Sequence, residues 1–210
     1  MPYNEPQKAI ELEFRNIDNT DNLLDVARLI FQTDHYVYPA LFGSIKNAEN
    51  LLPGVIKQDA VCFCSDNLFG AFYDKHVVGI VCYFNGDYRW SSDVIINEFK
   101  KNRIEIPRSF YRASTEYFEG LAHSDDLKRG TYIMNVCIID SLRNIGLGTR
   151  LLRSFFETKG VESCSLEVLA ENATAINLYQ KFGFAVQQER VGFSVNPPYP
   201  RCFYMIRNGS

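Results

Sequence analysis

The sequence lacks a long apolar run, a basic surplus, a clustered set of metal ligands and any internal repeat, and each absence removes a class of function. The longest apolar stretch, about Val77 to Phe84, is far shorter than the roughly 20 residues that cross a bilayer as a helix. The opening MPYNEPQKAIELEF has no apolar segment, so no secretory leader is predicted. The expectation is a cytoplasmic protein that engages no membrane. A formal net charge of −3 gives no footprint for nucleic acid or anionic lipid, though it leaves room for a local acidic pocket that could hold an amine. Cys62, Cys64, Cys82, Cys137, Cys164 and Cys202 are scattered through apolar surroundings. Only Cys62 and Cys64 lie close together, and no CxxC or HxxxH partner follows, so the cysteines read as small buried hydrophobes in a reducing compartment rather than zinc ligands. No metal is expected.

What is present suits a globular α/β (α+β mixed) chain, with 46% apolar residues and 22% charged, enough for a core without staples. Residues 1–210 read as one domain carrying a helical insertion at about 88–130. Ile10, Leu12 and Phe14 alternate with charges as a half-buried strand does. Asp18-Asn19-Thr20-Asp21 supplies cap chemistry for a helix with Leu23, Ala27, Ile30 and Phe31 on one face. A loop is predicted over Asp34–Pro39, a second helix between Pro39 and Leu52, and a turn at Pro53-Gly54. Leu68–Tyr73 and Val77–Phe84 form a hairpin about Asp74-Lys75-His76. Within the insertion, Val94, Ile95 and Phe99 have helical spacing, and Pro107 starts a second helical piece bearing Phe110, Tyr117 and Phe118, ended by Gly120 or Gly130. Strands follow at Tyr132–Ile139, Cys164–Val168, Phe184–Phe193 and Cys202–Ile206, with helices at Gly146–Lys159 and from Asn172 to Phe182, closed by Gly160 and Gly183.

The glycines at the Ile139–Gly146 junction fall where a strand hands over to a helix. Asp140-Ser141-Leu142-Arg143-Asn144-Ile145-Gly146-Leu147-Gly148-Thr149 combines residues that permit close backbone approach with the unpartnered amides of a helix start, which together make an anion site. A Walker loop is excluded because GxxxxGK[ST] is absent. A dinucleotide fingerprint is excluded because Leu151 stands where its third glycine belongs. What remains is Arg-x-x-Gly-x-Gly.

Ile138 to Leu152, with this loop at its centre, resembles motif A of the GNAT acetyltransferase superfamily. Leu166-Glu167-Val168-Leu169-Ala170-Glu171-Asn172, continuing through Tyr179-Gln180-Lys181-Phe182-Gly183-Phe184, resembles motif B of the same family. The resemblance implies a central, mostly antiparallel twisted sheet flanked by helices. It implies acetyl-CoA as co-substrate, its diphosphate held by Arg143, Asn144, Ile145, Gly146, Leu147, Gly148 and Thr149. The edge of the preceding strand at Val136, Cys137 and Ile138 would pair with the pantetheine arm and polarise the thioester carbonyl. Asn172 admits two compatible roles, helix cap and ligand to the coenzyme. Tyr179 is either a packing residue or the general acid that protonates the departing thiolate.

The implied reaction is direct transfer of acetyl to a primary amine of a small molecule or a protein. A catalytically silent acyl-CoA sensor is the alternative. The chain departs from the family where some relatives carry a Glu or His base, since Tyr132-Ile133-Met134-Asn135-Val136-Cys137-Ile138 has neither. Asp87, Glu116, Glu119, His35 and His123 are substitutes by residue type only. Acyl transfer through Cys137 would need a lowered thiol pKa, which no neighbour in sequence supplies. The insertion, the Asp34–Pro39 loop and the Asn196–Pro200 loop are expected to wall the acceptor pocket. Tyr36, Tyr38, Tyr88, Trp90 and Tyr199 either line it or pack the insertion onto the sheet. Sequence sets no oligomeric state beyond monomer or homodimer.

Overall fold

A computed structural model of the chain describes residues 11–58, 62–86, 88–119, 121, 130–191 and 200–209. Seven strands form one sheet in the order β1-β2-β3-β4-β5-β7-β6. They are β1 Glu13–Asn16, β2 Leu68–Tyr73, β3 His76–Asn85, β4 Thr131–Ile138, β5 Cys164–Leu169, β6 Ala185–Arg190 and β7 Cys202–Arg207. Every neighbouring pair is antiparallel except β4 with β5. The helices are α1 Leu23–Thr33, α2 Val37–Phe42, α3 Ile45–Ile56, α4 Ser92–Lys101, the short α5 Phe110–Ala113 running into a π-helical turn at Ser114–Glu119, α6 Leu147–Lys159 and α7 Ala173–Lys181. The mixed fold with a mostly antiparallel sheet is as the resemblance implies.

The sheet is covered on both faces, so β2 and β3 are buried almost throughout, as near-continuous apolar runs require. One face packs Ile80, Cys82, Phe84 and Tyr132 against α1 to α5; the other packs Val81, Tyr83 and Ile133 against α6 and α7. The described residues of the insertion form no separate core. Ile95, Phe99, Phe110, Ala113, Phe118 and Leu121 join the first of these clusters.

Several local expectations are corrected. The first strand starts at Glu13, later than the alternation from Ile10 suggests, and Ile10 lies outside the described residues. Asn22 caps α1 by accepting from the Leu24 amide. The loop after α1 shortens to Asp34–Tyr36, because Pro39 fits the first turn of α2, where no intrahelical N–H is needed. The hairpin turn is Asp74-Lys75 alone, both with positive φ, the two-residue geometry that matches strand twist. Pro53-Gly54 makes no turn, and α3 continues to Ile56. An interior proline costs about 3 kcal/mol. Leu51, Leu52, Val55 and Ile56, all buried, each contribute about 1.5–3 kcal/mol if α3 stays intact, so packing wins. Gly54 is needed for space: the buried Glu98 carboxylate of α4 lies against it, where a Cβ would stand.

Candidate functional site

The site begins where two strands part. β4 and β5 pair only at Thr131–Ile133 against Cys164–Leu166, although both run on, to Ile138 and Leu169. The cause is a bulge. Ile133 faces Tyr83 of β3 and Asn135 faces Cys82, leaving Met134 without a β3 partner. An extra residue bends and over-twists the strand that carries it. Past that point β4 remains bonded to β3 and β5 to β7, and their facing edges enclose a wedge.

At the mouth of the wedge the chain turns through a single 3₁₀ turn, Asp140–Leu142, into the exposed loop Arg143–Gly146 and then α6. Asn144 has φ +63° and Gly146 φ +84°. The first bond of α6 runs from the Arg150 amide to the Gly146 carbonyl. Among the described residues no acceptor meets the amides of Asn144 to Thr149. Successive free amides in this conformation form a concave anion-binding nest on the positive end of a helix. A Cβ on Gly146 would meet nothing within 4 Å, whereas one on Gly148 would lie 3.3 Å from Leu178 Cδ2. The first glycine therefore serves backbone conformation beside open space; the second lets α6 approach α7. The Arg143 guanidinium folds back, donating from Nε to the Ile138 carbonyl at 2.9 Å and pairing with Asp140 at 2.9 Å.

Tyr179 comes from α7, whose first turn is capped by Asn172 Oδ1 accepting from the Ala175 amide at 3.1 Å. Asn172 is exposed. Tyr179 is 7% exposed, its ring 5.7 Å from that of Phe184. Burial pushes its phenol well above the usual tyrosine range, and the nearby Cys137 thiol adds to this. Cys137 is buried too. Desolvation raises its thiol to about 11 although the Arg143 guanidinium, 3.9 Å away, pulls the other way. That disfavours a nucleophilic thiolate.

Of the residues that sequence offers as a base, Asp87 and His123 lie outside the described residues. His35 is exposed, and Glu116 accepts from Arg112 Nε at 2.9 Å within the insertion. Of the aromatic residues, Tyr36, Tyr38, Tyr88 and Trp90 pack in or against the core cluster on the α1–α5 face. Tyr38 is 1% exposed. Trp90 stacks on Phe118 at 3.8 Å and donates to Ser114 Oγ, while Tyr88 donates to the Phe118 carbonyl. Tyr199 and nearly all of the Asn196–Pro200 loop lie outside the described residues. Sequence reasoning missed a buried set behind β4. Asn135, 6% exposed, accepts at Oδ1 from Tyr38 Oη at 2.9 Å and donates from Nδ2 to Thr33 Oγ1 at 2.7 Å. An amide inside an apolar strand is the signal that such partners exist.

Among the described residues no group of three His, Cys, Asp or Glu side chains is placed to hold a metal ion, and no helix is long and apolar enough to cross a membrane. Residues 42–184 match the family model described as Acetyltransferase (GNAT) family. An N-alpha-acetyltransferase of Sulfolobus acidocaldarius is 37% identical over 71 residues, 32% of this chain; the match spans only 42% of that protein's length. The crystal structure of an acetyltransferase superposes with a TM-score of 0.67 at 16% identity, covering 94% of this chain and 100% of that one. An N-acetyltransferase structure from Staphylococcus aureus gives 0.61 at 18% identity, covering 92% and 99%. At such identities the superpositions speak for the fold alone. With the family match extending from α2 through the motif A loop to Phe184, the chain belongs to the GNAT family of acetyltransferases.

Proposed function

We propose that the chain is an acyl-CoA-dependent N-acetyltransferase that moves acetyl from acetyl-CoA directly to a primary amine. The observation that carries this reading is the run of partnerless amides from Asn144 to Thr149 at the open end of the β4–β5 wedge. A diphosphate fits them in charge and geometry, and the space above Gly146 is open for it. Arg143, Asn144, Ile145, Gly146, Leu147, Gly148 and Thr149 would hold that group. The free edge of Val136, Cys137 and Ile138 would hold the pantetheine arm as an added strand, with an N–H there polarising the thioester carbonyl. Asn172 would stand beside the arm at the start of α7.

In the reaction a neutral amine attacks the thioester carbon, the nitrogen releases a proton that returns through solvent to the general acid, the carbon–sulfur bond breaks, and the thiolate takes a proton from that acid. Tyr179 would supply it. Its raised pKa keeps the phenol protonated at any working pH, a requirement for an acid. The raised thiol of Cys137 is a reason against a covalent acyl-cysteine route.

Among primary amines, an α-amino group suits this site best. β4 carries no carboxylate or imidazole base. An α-amine of pKa about 7.7–8.0 is roughly a quarter neutral or more at pH 7.5, against about one part in a thousand for a lysine amine at 10.4. The Sulfolobus relative named N-alpha-acetyltransferase agrees. The test is thiol release from acetyl-CoA with peptides bearing a free N-terminus, N-terminally blocked peptides containing lysine, and small amines. Turnover confined to free α-amines is expected. No calorimetric affinity for CoA would overturn the whole reading. Binding without turnover on any amine would identify a silent acyl-CoA sensor.

A further inference from the structure

We propose that Asn135 is a positioning residue that sets the opening of the β4–β5 wedge, through a clamp formed with Tyr38 and Thr33. The inference rests on the reading of that wedge as the coenzyme cleft. The bonding around Asn135 fixes its orientation. Thr33 Oγ1 spends its single proton on the Ile30 carbonyl at 2.6 Å. Toward Asn135 it can therefore only accept, so the group facing it is the amide nitrogen, and Oδ1 is left to receive the Tyr38 hydroxyl. Both partners are anchored independently of β4. Thr33 is the last residue of α1. Tyr38 of α2 is caged by Phe42, Phe63 and Phe118, with ring centroids 6.0 to 6.5 Å away.

Asn135 is the first residue after the bulge at Met134, and β4–β5 pairing ends at Ile133, just before it. Side chains alternate along a strand, so a one-residue slip would turn Asn135 from the α1–α2 side to the apolar α6–α7 side. Only the bulged register lets the amide reach Tyr38 and Thr33; in the slipped register it is buried unsatisfied. The clamp thus selects the register in which β4 leaves β5. Through Phe118, which belongs to the insertion, it also ties residues 88–119 to the wedge from behind. The nest at α6 stands outside the clamp, because its conformation comes from Asn144 and Gly146.

This separation gives the test. In Asn135→Ala and in Tyr38→Phe, calorimetric affinity for CoA should fall about tenfold or more, in line with sub-ångström to ångström misplacement of a binding edge. Affinity for adenosine 3′,5′-bisphosphate, which has the nucleotide but no pantetheine arm, should stay at the wild-type value. Tyr38→Phe removes one oxygen from an otherwise intact cage and decides the matter should Asn135→Ala not fold. Unchanged affinity for both ligands, or equal loss of both, would overturn the clamp. Wild-type protein that fails to bind CoA would instead refute the proposed function.

Discussion

Replacing Tyr179 by Phe removes one oxygen and leaves the packing, which is why it isolates chemistry from stability. The ring sits buried against Phe184, and no described residue hydrogen-bonds its hydroxyl. Losing that oxygen therefore breaks no hydrogen bond among the described residues, and the folded state should change by less than about 1 kcal/mol. The effect on turnover is of another size. Positioned general acids contribute about 10²–10⁴ in rate, equivalent to roughly 3–5 kcal/mol at 1.36 kcal/mol per decade. The sign with pH follows from burial. A phenol raised above its ordinary value near 10 keeps its proton below that pH, so Tyr179 gives no falling alkaline limb between pH 6 and about pH 9. Initial rates of thiol release at saturating acetyl-CoA, with thermal melts and CoA titrations on the same preparations, separate the terms. The expected pattern is a kcat lowered about a hundredfold or more, with a melting temperature within about 4 °C of wild type and unchanged CoA affinity. A Tyr179→Phe protein that turns over within twofold of wild type, with CoA still bound, refutes the assignment.

Three further outcomes follow from particular contacts. Gly146→Ala forces a side chain into a left-handed conformation at φ +84°, which costs about 1–2 kcal/mol and places a methyl in the space assigned to the diphosphate; calorimetry should show weaker CoA binding and denaturant melts a lower midpoint. Gly54→Ala would add up to about 1 kcal/mol to an ordinary helix, but here the methyl overlaps the Glu98 carboxylate, so overpacking of about 1–3 kcal/mol makes the net effect destabilising, as urea titration will read. Stability should fall as pH rises past about 9: unfolded thiols ionise near 8.5, whereas Cys137 and Cys164 hold their protons to about 11 because they are buried. The native state then binds more protons, and a higher pH favours the unfolded chain. Urea midpoints at pH 8 and pH 10 check this.

The second half of the chain was the readable half. Arg143 to Thr149, Asn172 and Gly183 act locally, through caps, positive φ and free amides, and local chemistry is written in adjacent letters. Asn172 and Gly160 hold the capping positions that their residue types predict. The bulge left no such mark. Met134 and Asn135 both pack toward the helical layer, yet in sequence they resemble any strand interior. Tyr38 lies 97 positions from the amide it bonds, and no window along the sequence joins the two. Pro53-Gly54 misled for the converse reason: its strong local turn signal yields to buried neighbours on α3 and to Glu98, a contact across the fold. The aromatic residues of the insertion were ambiguous in sequence because ring size cannot tell a pocket wall from a core.

The depth at which the insertion is rooted bears on how an acceptor in the proposed reaction would reach the cleft. Phe99, Phe110 and Phe118 are wholly buried in the cluster shared with α1, α2 and α3. Lifting the segment away as a lid would wet all three at about 1.5–3 kcal/mol each, leaving fewer than one molecule in about a thousand raised at equilibrium. Under the proposed reaction, the described part of the insertion would then offer an amine a fixed surface, one that accepts or rejects a shape without rearranging around it.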